Sequence, residues 1–302
     1  MLPFFIASTN KNQVIKFGNF APMNDPANRS ARIAILDLYK GHPNEGMRCI
    51  HQLINEYSND NHIRISYDIF DVRQKDEVPD LSYDAYISTG GPGSPHEGEG
   101  QKWEVLYFDW LTKLLEWNKN ADESSSKHVL FICHSFQMAS RYFKIGNVCK
   151  RKSTSFGVFP VHRMPNTNDE SLFEGLKDPF YVVDSRDFQV IQPDFKQLKF
   201  IGGKILCIEK ERPHVPLERA IMAIRFNEYM VGTQFHPEAD AIGMSMYLQR
   251  EDKKSTVIEN HGFEKWKSMI EHLEDPDKIL WTYRHIFANF FSNALASVNA
   301  YI

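Results

Sequence analysis

The chain has 302 residues, 42% hydrophobic and 25% charged, enough apolar content for the core of one large domain or two small ones. A formal net charge of -4 with both signs scattered leaves no basic stripe for nucleic acid, and no apolar run approaches the ~20 residues of a membrane span. The four cysteines, Cys49, Cys133, Cys149 and Cys207, show neither C-x-x-C pairing nor zinc-type spacing, which points to a reducing, cytoplasmic setting.

Residues 1–30 read as an N-terminal arm. Its run Leu2-Pro3-Phe4-Phe5-Ile6 has no basic region before it and is interrupted by Pro3, unlike a secretory signal. A domain over residues 31–240 opens with Arg32 to Leu38, a continuous apolar run that fits a strand buried on both faces. A helix from Gly46 to Glu56 and strands from Ile63 to Phe70 and Ala85 to Ser88 follow. Trp103, Leu106, Tyr107, Trp110, Leu111, Leu114 and Leu115 recur at helical spacing, so Gln101 to Asn118 is predicted as a helix with a core-facing stripe. After the polar loop Asp122 to Ser126, an apolar strand ending near Ile132 passes into a helix that runs to Lys144.

Beyond Lys144 the pattern changes to short strand-like runs: Ser155 to Val161, Phe180 to Asp184, Val190 to Gln192, Ile205 to Ile208, Ala220 to Phe226 and Met230 to Phe235. Parallel units followed by a hairpin-rich half define an α/β class: an open, mostly parallel twisted sheet with helices on both faces and an antiparallel addition. Residues 241–302 read as a C-terminal helical extension on the same domain, with helices Glu264 to Leu273 and, after the capping signal Asp275-Pro276, Lys278 to Ala296. In the second, Ile279, Leu280, Tyr283, Ile286, Phe287, Phe290 and Phe291 form a stripe that reads as core, a partner-facing aromatic surface being the alternative.

The chemistry is expected at Phe131-Ile132-Cys133-His134-Ser135-Phe136-Gln137, where a strand gives way to a helix. A cysteine at such a junction is lifted above the sheet edge, and a helix N-terminus behind it favours thiolate. A thiol nucleophile needs a base, and the base an orienter. Gln234-Phe235-His236-Pro237-Glu238 supplies both: His236 can take the Cys133 proton while Glu238, two residues on, accepts from the other ring nitrogen. The loop Ser88-Thr89-Gly90-Gly91-Pro92-Gly93-Ser94-Pro95 lets backbone N–H groups approach an oxyanion. All three motifs sit at carboxyl ends of strands, where open sheets bind ligands. His96, just beyond the glycine loop, reads as a solvated loop histidine, with lining of the pocket as the alternative; His214, His261, His272 and His285 show no metal-ligand spacing, and Gly202-Gly203 reads as a turn, so no metal and no cofactor are expected.

Cys133, with His236 and Glu238 about a hundred residues downstream and Gly90-Gly91-Pro92 upstream, resembles the class I glutamine amidotransferases over Arg32 to Glu238. The resemblance implies the flavodoxin-like fold of that family and a Cys133–His236–Glu238 triad. It also implies an oxyanion hole from the backbone of Gly91 and His134, and substrate contacts from Gly90, Pro92, Gln137, Ser185 and Arg186. Where the family elbow reads G-x-C-x-G-x-Q, this chain has Phe131 and Ser135 at the glycine positions. The implied reaction is hydrolysis of the glutamine amide through a cysteinyl thioester. Neither an ATP phosphate loop nor a pyrophosphatase-like loop is present, so ammonia would pass to a separate synthetase chain; Gly90-Gly91-Pro92-Gly93-Ser94 resembles the GMP synthetase version. Two alternatives keep the same pocket: a stand-alone hydrolase of γ-glutamyl peptides or amines, and a catalytically silent module that regulates a synthetase.

Overall fold

The computed structural model describes residues 29–42, 44–165, 167–211, 216–275 and 278–299; the arm before residue 29, His214 and Pro276 lie outside them. Strand β1 (Ser30–Asp37) leads to helix α1 (Glu45–Asp60), strand β2 (Arg64–Asp71), the single-turn α2 (Val72–Lys75) and strand β3 (Ala85–Ser88). Then come α3 (Lys102–Asn120), β4 (His128–Ile132), α4 (His134–Tyr142), the long β5 (Asn147–Arg163) and β6 (Phe180–Ile191). Helix α5 (Phe195–Ile201), β7 (Lys204–Glu209), β8 (Ile221–Asn227) and β9 (Met230–Thr233) complete the sheet. Five helices follow: α6 (Ala241–Gln249), α7 (Glu251–His261), α8 (Phe263–Glu274), α9 (Ile279–Ala294) and α10 (Ala296–Asn299).

The nine strands form one sheet in the order β2-β1-β3-β4-β9-β8-β7-β5-β6. The pairs from β2 to β9 are parallel and those from β9 to β6 antiparallel. The expected open parallel sheet with an antiparallel addition is therefore present. Strand alternation divides the core into two layers. Ile33, Ile35, Ile87, Leu130 and Ile132 face a layer shared with α1 and α9. Ala34, Leu36, Tyr86, Val129 and Phe131 face the layer of α3, α4 and α5. The α9 stripe is core, with Tyr283, Ile286, Phe287, Phe290 and Phe291 buried in the first layer and Phe291 against Tyr57 of α1.

Local chemistry sets the boundaries. Asn44 caps α1 by accepting from the Met47 N–H, and Asp194 caps α5 by accepting from Lys196 and Gln197. Gly202, at φ +75°, closes α5, so the Gly202-Gly203 pair is a helix stop. One expectation needs correction. The runs at 155–161, 180–184 and 190–192 belong to two long strands, β5 and β6, and the bulge between Lys150 and Ser155 hid the first half of β5 by breaking its alternation. Helices α6 and α7 fall within the expected helical extension but are not delimited by the sequence, because the apolar AIGMSMYLQ of α6 has no helical period; with α8 they cover Val158 and Val183. Among the described residues no helix is long and apolar enough to cross a membrane.

Candidate active site

Cys133 occupies the turn from β4 into α4 with φ 48° and ψ -95°, a conformation that costs an L-residue free energy and persists only where the surroundings enforce it. Three contacts enforce it here. The Cys133 N–H donates to Thr233 O at 2.8 Å, which pins the turn to β9. Ser135 Oγ accepts from the Ile132 N–H at 2.8 Å and donates to Ser88 O at 2.6 Å, joining β4, α4 and β3 through one buried hydroxyl. Phe131 is fully buried and meets Phe226 edge-on at 5.7 Å. Its space comes from Gly232 on β9, where a Cβ would stand 2.9 Å from Phe136 Cδ2 and 3.1 Å from Phe131 Cβ.

His236 follows β9, its N–H bonded to Val183 O of β6 at 2.9 Å, so both halves of the sheet hold it. Its Nδ1 pairs with Glu238 Oε1 at 2.8 Å, and the ring stands beside Cys133: a Cβ built on Gly90 would lie 2.9 Å from His236 Cε1 and 3.7 Å from Cys133 Cβ. Burial opposes charge on the ring, but the Glu238 carboxylate and then the Cys133 sulfur outweigh it and hold the imidazole pKa well above its ordinary value. The imidazolium is thus the resting form. The Cys133 thiol also lies 3.8 Å from Ser185 O, and Gln234 Nε2 donates to the sulfur at 3.8 Å. Gln137 Nε2 donates to Gln234 Oε1 at 3.1 Å and to Phe188 O at 3.2 Å, so it reaches the sulfur through Gln234.

In the glycine loop the need is for close approach. A Cβ on Gly90 would stand 2.9 Å from His236 Cε1 and 3.7 Å from Cys133 Cβ, and one on Gly91 would stand 2.4 Å from Leu38 O. Arg73, unanticipated from sequence, fixes this loop: Nη1 donates to Leu38 O at 3.1 Å and Pro92 O at 2.7 Å, and Nη2 pairs with Glu97. The His134 N–H lies in the first turn of α4, where helix amides have no intrahelical carbonyl, and is available to an oxyanion. The His134 ring is buried; burial first, then Arg73 and Arg141, push it down to about 3, so it stays neutral.

A cavity of about 150 Å³ adjoins the triad, lined by Tyr39, Glu45, Ser185, His236, Glu238 and Asp240 among others. Of the residues singled out in the sequence, His236, Glu238 and Ser185 line it, while Cys133 and Gly90 stand on the other side of the His236 ring. Two lie apart from this group. Arg186 lies on the other face of β6 from Ser185, as strand alternation requires, where it is buried against Asp184 at 2.9 Å and Glu209 at 3.3 Å. Pro92 faces outward with its carbonyl engaged by Arg73. Larger cavities of about 430 and 630 Å³ lie elsewhere, the first around His128, Arg225 and Tyr229, the second between α1 and α9.

The sheet order, the strained cysteine at a strand end and the His–Glu pair one strand over define an α/β protein of the class I glutamine amidotransferase-like fold. Solved structures agree on that fold. A glutamine amidotransferase from Thermotoga maritima superposes with a TM-score of 0.61 at 16% identity, covering 88% of this chain and 98% of its own. The Trypanosoma brucei CTPS glutaminase domain gives 0.55 at 14% identity, covering 88% and 95%. The sequence is more particular: a model of the homoserine O-succinyltransferase family matches residues 49–278, and the chain belongs to that family. It is 33% identical over 125 residues to a homoserine O-acetyltransferase of Acetivibrio thermocellus, covering 41% of this chain and 37% of the relative. It is 27% identical over 184 residues to one of Clostridium botulinum, covering 61% and 54%. The matches thus span about a third to a half of these relatives' length.

Family membership corrects the glutamine reading. Hydrolysis of the glutamine amide, the hand-off of ammonia to a GMP synthetase-like partner, the γ-glutamyl hydrolase and the silent module are all set aside, because the family is named for acyl transfer to homoserine. The physical reason is that a Cys–His–Glu triad serves any reaction that passes through a thioester. The leaving group and the acceptor are chosen by the surrounding cavity, and motif spacing carries no information about it.

Proposed function

We propose that this chain transfers an acyl group to the hydroxyl of homoserine or a close analogue through an acyl-Cys133 thioester. The observation that carries this is the Cys133–His236–Glu238 arrangement, lying wholly inside the stretch matched by the homoserine O-succinyltransferase family model. In the first half-reaction the Cys133 sulfur attacks the carbonyl carbon of an acyl thioester. The oxyanion faces the His134 N–H and the glycine loop, and the expelled thiolate takes the proton held by His236. In the second, the acceptor hydroxyl gives its proton to His236 while its oxygen attacks the acyl carbon; Cys133 leaves as thiolate and the imidazolium is restored. An imidazole pKa held up by Glu238 suits the step in which a proton must be donated.

Charge in the cavity favours acetyl over succinyl. Among the described residues the lining has Glu45, Glu238 and Asp240 but no lysine or arginine. Glu45 and Asp240 share Arg48 at 2.6 and 2.8 Å, which leaves a net negative rim. The one cation among the described lining residues, His236, is already paired with Glu238, so a succinyl carboxylate would be desolvated there without a free partner, whereas the ammonium of an amino-acid acceptor is accommodated. The test is to supply L-homoserine with acetyl-CoA or succinyl-CoA and measure the O-acyl ester, with glutamine as a separate substrate assayed for ammonia. O-Acetylhomoserine is the expected product, with a rate reduced about 10²- to 10⁴-fold by His236→Ala. Failure to form either ester, or ammonia release from glutamine, would contradict the proposal.

A further inference from the structure

Tyr39 follows β1 by two residues and places its phenol inside the reaction centre. Its position is fixed on both sides: the Tyr39 N–H donates to Asp37 Oδ1 at 2.7 Å, and the Leu38 N–H donates to Thr89 Oγ1 at 3.0 Å, tying the segment to the glycine loop. Two glycines leave room for the hydroxyl. A Cβ on Gly46 would stand 2.2 Å from Tyr39 Oη and 3.2 Å from Glu238 Oε1. A Cβ on Gly90 would stand 3.3 Å from the same Oη, 2.9 Å from His236 Cε1 and 3.7 Å from Cys133 Cβ. The phenol, the base and the nucleophile therefore surround one point. The residue is 9% exposed, and no hydrogen bond engages its hydroxyl among the described residues.

This matters for the second half-reaction. An acceptor hydroxyl has one proton and two lone pairs. The proton goes to His236 and one lone pair attacks the acyl carbon, which leaves the second lone pair inside a buried site. A polar atom left unpaired there costs free energy, and water, which can turn any of its four sites to the cavity, suffers less from the lack of one partner. We propose that Tyr39 Oη donates to the acceptor oxygen, seats it over acyl-Cys133 beside His236, and so sets the balance between transfer and hydrolysis; this rests on the acyl-transfer reading above. Burial first, then the Glu238 carboxylate, hold the phenol well above its ordinary pKa, so it remains an O–H donor at working pH.

The test compares wild type with Tyr39→Phe, which keeps the ring and removes the donor. Acetyl-CoA is supplied, acetyl-Cys133 is followed by rapid-quench mass spectrometry, and its decay is divided between O-acetylhomoserine and free acetate as L-homoserine is raised. Loss of one hydrogen bond corresponds to about a tenfold change. The expected result is a ratio of ester to acetate about tenfold lower, with a higher KM for homoserine, while acetylation of Cys133 slows far less than transfer. Gly46→Ala, which must push the hydroxyl aside, should move the ratio in the same direction. Equal slowing of both half-reactions would mark Tyr39 as structural and overturn the proposal, as would an unchanged ratio, or a ratio moved by Ser185→Ala and not by Tyr39→Phe. Absence of acetyl-Cys133 in wild type would instead overturn the acyl-transfer reading, and this inference with it.

Discussion

The turns that follow β3 and β4 leave adjacent parallel strands at the same edge of the sheet and relieve the same crowding in opposite ways. After β3 the chain sheds side chains: Gly90 and Gly91 let the loop press against His236 and the Leu38 carbonyl. After β4 it has no glycine. Ser135 replaces one with a hydroxyl that bonds Ile132 and Ser88, and Phe131 fills the other position while Gly232, on the neighbouring β9, gives up its side chain instead. The requirement at a nucleophile turn is therefore on the volume and hydrogen bonds around it, and the glycine that meets it can sit on a different strand.

Four changes would separate the two turns, and the largest effect is expected at Gly90. A methyl there must displace the His236 ring, which Glu238 holds in place, so Gly90→Ala should cut turnover about 10²-fold with little change in the urea midpoint. Glu238→Gln keeps a hydrogen-bond acceptor but removes the leading charge that supports the imidazolium, so the alkaline limb of the pH–rate profile should move down by about 1–3 units. On the other side of the comparison, Gly232→Ala forces a methyl against Phe131 and Phe136. It should destabilise the fold by about 1–3 kcal/mol, read from the same midpoint, while touching turnover less than Gly90→Ala does. Ser135→Ala leaves the Ile132 N–H and Ser88 O unpaired, at a cost of about 1–2 kcal/mol. Equal loss of activity from Gly90→Ala and Gly232→Ala would remove the distinction.

His236, His134 and His128 titrate in two directions. His236 is charged in the fold, so its contribution to stability is complete below the ordinary imidazole pKa and is lost as pH rises through the raised folded value. His134 and His128 are held neutral, at about 3 and about 4, chiefly by burial. Between those values and the ordinary 6.5 the unfolded chain binds more protons, so their contribution is lost as pH falls through that window. His134→Gln should flatten the acid side of the stability curve and leave the His236 side unchanged, as urea titrations at a series of pH values would measure.

Much of the fold was legible because buried strands and amphipathic helices leave strong periodic signals: β1, β3, α3 and α9 were each anticipated within a few residues. The grouping of Cys133, His236 and Glu238 was legible for another reason. Its members lie at strand ends flanked by apolar runs, so position in the sheet could be inferred from pattern alone. Tyr39, Arg73 and Gln234 lacked such a signal. Each acts through a side chain that crosses from one element to another, and only tertiary structure brings Arg73 of α2 to the carbonyl of Pro92. Arg186 failed for the complementary reason: next to Ser185 in sequence, it points to the opposite face. The acceptor was not legible because the triad is indifferent to it.

The central claim is that Cys133 carries an acyl group between donor and acceptor. Intact-mass analysis after brief exposure to acetyl-CoA, followed by peptide mapping, tests this most directly. The account predicts one acetyl group on the peptide containing Cys133, formed without homoserine and discharged when homoserine is added, and absent in Cys133→Ser. Acetylation of Cys49, Cys149 or Cys207 in its place, or an acetyl-Cys133 that homoserine does not discharge, would contradict it.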